Sequence, residues 1–188
     1  MNVIANIVAF KIGWMASVVG AANELPFIGP AVVLAVIGIH LYAANDATRE
    51  LTLIVLTGII GAMWDSVMVA AGWLSYPSGN GVAGIAPYWI IGMWMLFATT
   101  LNVFFRWLQS NLALASALGA VFGPLSYYAG AAAGAVVINE FAVALAAIAA
   151  AWALLFPGLL MLARRLDGVA DRSIITASAD DRGFGGHV

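Results

Sequence analysis

The sequence predicts an all-α bundle of about six transmembrane helices, on three observations. Of its 188 residues, 64% are hydrophobic and only 9% are charged, with a mean hydropathy of +1.01. Soluble domains carry about 25% charged residues, so this chain has too little polar surface to coat a water-facing fold. Six apolar stretches come close to the roughly 20 residues that cross a bilayer core. The arginines between and after these stretches all fall on the face that six spans would share.

The stretches are 3–22, 26–44, 51–73, 86–105, 112–138 and 141–162. Helices are expected because each satisfies its own backbone polar groups in lipid. The Ala- and Leu-rich last stretch favours helix by propensity as well. Short polar or turn-forming segments separate them: Asn23 to Pro26, Asn45 to Glu50, Ser75 to Gly81, Arg106 to Asn111, and the pair Asn139-Glu140. Without that last pair, 112–162 is one apolar run and the count falls to five. The first stretch does not read as a cleavable signal, because it has no basic amino end and Lys11 interrupts it.

Arg49, Arg106, Arg164, Arg165, Arg172 and Arg182 lie on one predicted face, whereas the opposite loops carry Glu24 and Glu140. The excess of basic residues on the cytoplasmic side places both termini in the cytoplasm. Trp73, Tyr76, Tyr88 and Trp89 are expected at the outer interface, and Trp107 at the inner one. Residues 1–163 form the bundle, and 164–188 read as a poorly ordered cytoplasmic tail because they lack an apolar period.

Several chemistries are excluded or unsupported. With no cysteine, thiolate, disulfide and cysteine-based metal chemistry is absent. The two histidines, His40 and His187, make a multi-histidine metal or haem site unexpected, and no metal or other cofactor is predicted. No basic patch exists to meet nucleic acid. Phosphate-binding loops, nucleophile elbows and zinc-protease motifs are not found.

Charged groups in hydrocarbon cost several kcal/mol or more, so each requires a reason. Asp65 lies 14 residues into the third stretch, about 21 Å from its inner end at 1.5 Å per residue. Gly58, Gly61, Ala62, Val69 and Gly72 share its helical face, and such small-residue stripes face other helices. Tyr127, on the glycine stripe of the fifth stretch, reaches about the same depth. Asp65 and Tyr127, with Ser126 or Tyr128, are therefore expected in one hydrogen-bonded cluster, as ligand-binding or proton-coupling candidates. Glu24 and Glu140 are outer acidic candidates, either solvated or lining a funnel for a cation or amine. His40, Asn6 and Asn102 lie within about 6 Å of the inner boundary and are inner polar candidates. Lys11 is expected to reach back to the inner interface, with an ion pair to Asp65 as the sharper alternative.

The segments Pro87-Tyr88-Trp89-Ile90-Ile91-Gly92-Met93-Trp94 and Phe97-Ala98-Thr99-Thr100-Leu101-Asn102, with Gly123-Pro124-Leu125-Ser126-Tyr127-Tyr128-Ala129-Gly130, carry a resemblance. Over residues 1–165 the chain resembles an uncharacterised family of small bacterial inner-membrane proteins, known as a domain of unknown function. Family members carry a basic residue shortly after the last string. Here Ala131, Ala132 and Ala133 follow, which argues against anion binding at that point. The resemblance implies no established activity. Members resemble products of genes beside lipid-modifying enzymes, such as cyclopropane-fatty-acid-synthase-like methyltransferases and flavin amine-oxidase-like proteins, which implies a role near membrane lipids.

Four functions remain open on the sequence. The first is binding of a lipid or other hydrophobic ligand between helices near Asp65, in support of membrane-lipid modification. The second is a small proton-coupled transporter using Asp65. The third is an intramembrane enzyme with Asp65 as acid or base. The fourth is an accessory subunit that packs on a membrane-protein partner or on a second copy of itself.

Overall fold

A computed structural model describes residues 2–79 and 81–170. It is an all-α bundle of α1 (Val3–Ala22), α2 (Ile28–Tyr42), α3 (Ala47–Ala70), α4 (Tyr88–Leu101), α5 (Leu112–Ala132) and α6 (Phe141–Arg165). A 3-10 segment, Phe104–Ser110, follows α4. Strands β1 (Leu74–Ser75) and β2 (Val137–Ile138) pair antiparallel, with Leu74 opposite Ile138.

Local chemistry sets the helix ends. Asn2, Asp46 and Asn111 cap α1, α3 and α5 by accepting a hydrogen bond from a first-turn N–H. At their other ends the same helices close alike. Trp73 N–H bonds the Met68 carbonyl and Gly72 N–H the Val69 carbonyl. Ala135 and Gly134 repeat the pattern on Gly130 and Ala131. Gly72 and Gly134 take the left-handed conformation that this closure needs (φ 73 and 87). On α1 the same position is held by Glu24 at φ 61, its backbone donating to Ala21. A side chain at that φ carries strain that glycine lacks. Glu24→Gly is therefore expected to raise stability by about 0.5–1 kcal/mol, read as a higher thermal midpoint in detergent.

Four helices, α1, α3, α5 and α6, are each long and apolar enough to cross a membrane. The fourth expected span differs from a straight crossing. It breaks after Leu101, and the 3-10 segment leaves at 69° to α4, so the bent pair is at most one span. The break occurs where Asn102 turns its side chain to the tertiary cluster described below and its carbonyl to Arg106 Nε at 2.8 Å. The second stretch forms only the 15 residues of α2. That is about 22 Å of helix, short of a full hydrocarbon crossing. The fifth stretch stops at Ala132 rather than 138 because Gly134 closes the helix and the next residues enter β2.

α4 is the hub, packing on α1, α2 and α3, while α5 and α6 pack along each other. Glycines set the close contacts. A Cβ at Gly61 would overlap the Trp94 indole, and Cβ atoms at Gly119 and Gly123 would meet Trp152. Trp94 and Trp152 stack with centroids 4.9 Å apart, so small residues on α3 and α5 make room for one aromatic layer. Gly61→Ala should displace Trp94 and cost about 1–3 kcal/mol. A lowered thermal midpoint with shifted tryptophan emission is the expected readout.

The polar tail begins later than 164. α6 runs to Arg165, and residues 166–170 are pinned by defined bonds. Gly168 carbonyl accepts from Asp46 N–H at 2.9 Å, and Val169 carbonyl from Asn45 Nδ2 at 2.9 Å. Arg106 grips Asp167 with two bonds, at 2.6 and 2.9 Å. Such fork-to-fork pairs are the stronger form of ion pair. Residues 171–188, with Arg172, Arg182 and His187, lie outside the described residues.

Burial alone would raise the Asp167 carboxyl, but the Arg106 hydrogen bonds and the N–H groups of Ala170 and Val169 outweigh it and hold it below its ordinary value of 3.8. A carboxyl depressed by folding stabilises the fold above its unfolded value and loses that contribution as pH falls through the folded one. The thermal midpoint should therefore be flat from about pH 7 to 5 and fall below about pH 4, by less in Asp167→Asn than in the parent.

Candidate functional site

Asp65 is fully buried on the inward face of α3. Its Oδ1 accepts the Tyr76 hydroxyl at 2.7 Å and the Tyr127 hydroxyl at 2.9 Å, and its Oδ2 accepts Trp94 Nε1 at 2.6 Å. Three elements deliver these donors. Tyr127 comes from α5 and Trp94 from α4. Tyr76 comes from the connection after β1, which folds back over the end of the bundle. That connection is tied down by Ser78 Oγ on the Ala21 carbonyl (2.7 Å), Ala86 N–H on Ser66 Oγ (3.0 Å) and Trp89 Nε1 on the Ser78 carbonyl (3.2 Å). Among the described residues no lysine, arginine or histidine pairs with Asp65. The buried indole nitrogens of Trp64 and Trp152 approach the Tyr127 hydroxyl, but neither meets hydrogen-bond geometry.

Asp65, Tyr76 and Tyr127 form one end of a cavity of about 760 Å³, within the size range of small-molecule sites. Its walls are almost wholly apolar and aromatic. Phe10 and Trp14 come from α1, Trp94 and Phe97 from α4, and Trp152 and Phe156 from α6; Phe104, Phe105 and Trp107 of the 3-10 segment form the opposite end. α1 and α5 both contribute to the walls of this space. Phe122 and Leu125 of α5 and Trp107 are more than half exposed while lining it. The cavity thus opens sideways, along the apolar flank of the bundle.

A second polar cluster lies at the opposite end of α3. Glu50 is fully buried. Its Oε2 pairs with His40 Nε2 at 2.8 Å, and its Oε1 accepts Asn102 Nδ2 at 2.8 Å and Gly168 N–H at 2.9 Å. Gln109 Nε2 donates to Asn102 Oδ1 at 3.0 Å. Every oxygen of Glu50 is engaged, and the cluster joins α2, α3, the α4 break and the residues after α6.

The expected site residues separate accordingly. Asp65 and Tyr127 meet directly. Ser126 borders the cavity but gives its hydroxyl to the Gly123 carbonyl at 2.7 Å. Tyr128 does not join the cluster; it is half-exposed on the other side of α5, edge-on to Phe141. Adjacent helical residues diverge by about 100°, so Tyr127 and Tyr128 cannot both face Asp65. Glu24 and Glu140 are exposed and do not line this cavity. Glu24 closes α1, and Glu140 sits at the α6 amino end, where the helix dipole favours a carboxylate. Lys11 is exposed and has no bond to Asp65. His40 and Asn102 meet through Glu50, whereas Asn6 stands apart, its Nδ2 on the Thr99 carbonyl at 3.0 Å. The ring expected at the outer interface is only partly there. Tyr76 and Trp89 are buried, while Tyr88 is half-exposed.

Tyr76, Trp94 and Glu50 are the residues that sequence reasoning missed. Trp94 had a usable signal, since Gly61 and Asp65 are one turn apart and leave both room and a partner for a donor ring. Tyr76 had none, because a loop residue's return path depends on tertiary folding.

The model of a family described as proteins of unknown function, DUF2878, matches residues 3–158. The chain belongs to the DUF2878 family. No curated protein and no solved structure matches it. For this DUF2878 chain the matched region contains Asp65, its three donors, Glu50 and the whole cavity lining. It ends before Arg164, Arg165 and the pinned residues 166–170.

Proposed function

We propose that this protein binds one lipid or other hydrophobic molecule in the aromatic cavity, with the ligand's polar end at Asp65. The observation that carries this reading is the cavity itself: an apolar space that closes on one fully buried carboxylate. Pockets that combine apolar walls with a few convergent polar groups are the usual form of small-molecule sites. The sideways opening between α1 and α5 suits a molecule that arrives from the bilayer rather than from water. The donor set also favours binding over passage. The connection carrying Tyr76 closes the Asp65 end of the cavity and is tied to the bundle through Ser78, Ala86 and Trp89, which favours retention of a ligand over its passage.

The apolar flanks fit a membrane location. Arg49, Arg106 and Arg164 gather at the end that holds Glu50 and residues 166–170. With the positive-inside rule this supports a bacterial inner membrane with both termini in the cytoplasm. A role in support of membrane-lipid modification is consistent with a bilayer-derived ligand.

Solvent extraction of the protein purified from its membrane, followed by mass spectrometry, tests the reading. The expected result is one apolar species near equimolar with the protein. That species should be depleted in Leu118→Trp, which fills the cavity from α5. Recovery of only bulk membrane lipids, in the same ratios from both proteins, would contradict it.

A further inference from the structure

The wall chemistry and the hydrogen-bond pattern together restrict the ligand's charge and size. An ionised carboxylate offers about four acceptor positions. Two on Oδ1 and one on Oδ2 of Asp65 are taken, by Tyr76, Tyr127 and Trp94. A tryptophan N–H can only donate, and all three contacts are short, at 2.6 to 2.9 Å, as expected for bonds to a charged acceptor. This arrangement solvates an anion but leaves its charge uncompensated, because no basic side chain among the described residues pairs with it. One acceptor position, on Oδ2, is free.

The walls point to the same sign of charge. Trp94 and Trp152 stack beside the carboxylate, and Trp14, Trp89 and several phenylalanines complete the lining. Aromatic faces carry negative potential and attract cations, above all where water is excluded. The same faces and the carboxylate oppose a fatty-acid or phosphate headgroup. Size adds a limit. A space of about 760 Å³ has the size of a small-molecule site. That accommodates one acyl or isoprenoid chain with a small head within the walls.

We infer that the ligand is a single-chain lipophilic cation, an amine or ammonium amphiphile. Its N–H group takes the free position on Asp65 Oδ2, its charge lies against the Trp94 and Trp152 rings, and its tail runs toward Phe104 and Phe105. This rests on the reading of the cavity as a hydrophobic-ligand site and adds the charge and chain count.

The test uses the full chain in nanodiscs of zwitterionic phosphatidylcholine, titrated separately with dodecylammonium, dodecanol and dodecanesulfonate. Five of the seven tryptophans line the cavity, so intrinsic emission reports occupancy. The expected order is ammonium at least about tenfold tighter than alcohol, with sulfonate weakest. In Asp65→Asn the three should fall within about threefold of one another. If that variant does not fold, the order on the unmodified protein decides alone. Equal affinity for alcohol and ammonium would overturn the cation assignment and leave the hydrophobic-ligand reading standing. No saturable response of the unmodified protein to any of the three would overturn both.

Discussion

Asp65→Ala is expected to lower stability by about 3 kcal/mol or more. The reason lies in what it strands. Tyr76, Tyr127 and Trp94 each lose their acceptor. An orphaned buried donor costs about 1–3 kcal/mol. The three costs are not additive, because the two phenols can rotate toward each other once the carboxylate is gone. Asp65→Asn keeps one acceptor oxygen and should lose roughly half as much. Tyr127→Phe removes one donor and leaves the carboxylate two others, so about 1 kcal/mol is expected. Thermal denaturation in one detergent should rank these variants Ala, Asn, Phe from least to most stable. A Phe variant less stable than Asp65→Ala would mean that the carboxylate does not organise the site.

Glu50→Ala is expected to have a large effect too, again near 3 kcal/mol, with a different signature. It strands His40 Nε2, Asn102 Nδ2 and the Gly168 N–H, and it removes the shared anchor of α2, the α4 break and residues 166–170. Limited proteolysis should therefore cut after α6 in this variant at protease levels that leave the parent intact, even where the bundle still resists. Glu50→Gln should behave differently. Its remaining carbonyl oxygen still accepts from Asn102 and Gly168. Its amide can donate to His40 Nε2 only if the imidazole adopts the other tautomer, which leaves the Nδ1 proton buried without an acceptor at a cost of about 1–3 kcal/mol. Protease resistance of Glu50→Gln between that of the parent and that of Glu50→Ala is the expected outcome. Equal sensitivity of the two variants would show that charge, not hydrogen-bond connectivity, holds the clasp.

Much of the architecture is legible in the sequence because hydrocarbon imposes simple rules. Length and hydropathy mark the helices, and Asn2, Asp46 and Asn111 mark three starts. Depth counting brings Asp65 and Tyr127 together because two straight helices share a ruler. The rule fails where the chain leaves the helix. The α4 break is invisible to hydropathy, since Asn102 interrupts an apolar run through its tertiary bonds to Glu50 and Gln109. Gly134 was a visible stop for α5, yet the apolar residues after it read as more span. Glu50, at the border of a polar turn, looks like a solvated charge, although residues 118 positions later wrap over it. Tyr76 looks like an interface aromatic because nothing local records that its loop folds inward. A single sequence displays periodicity and depth well, and the partners of a buried polar group poorly.

The same asymmetry explains why the candidate site divides in two. The outer cluster holds one acidic group, three donors and an apolar space, which is an arrangement open to a ligand. The inner cluster has its Glu50 oxygens filled by protein groups, which is an arrangement that locks elements together. Burial is alike in both, so buried charge alone does not separate a binding site from a structural one; the neighbouring space does.

The most direct test is an experimental density map of the purified protein in lipid nanodiscs, inspected between Asp65 and Phe105. The account requires one elongated density in that space, ending within hydrogen-bond distance of Asp65 Oδ2. A map in which the Phe97, Trp152 and Phe156 side chains close together and leave no room beside Asp65 would contradict it.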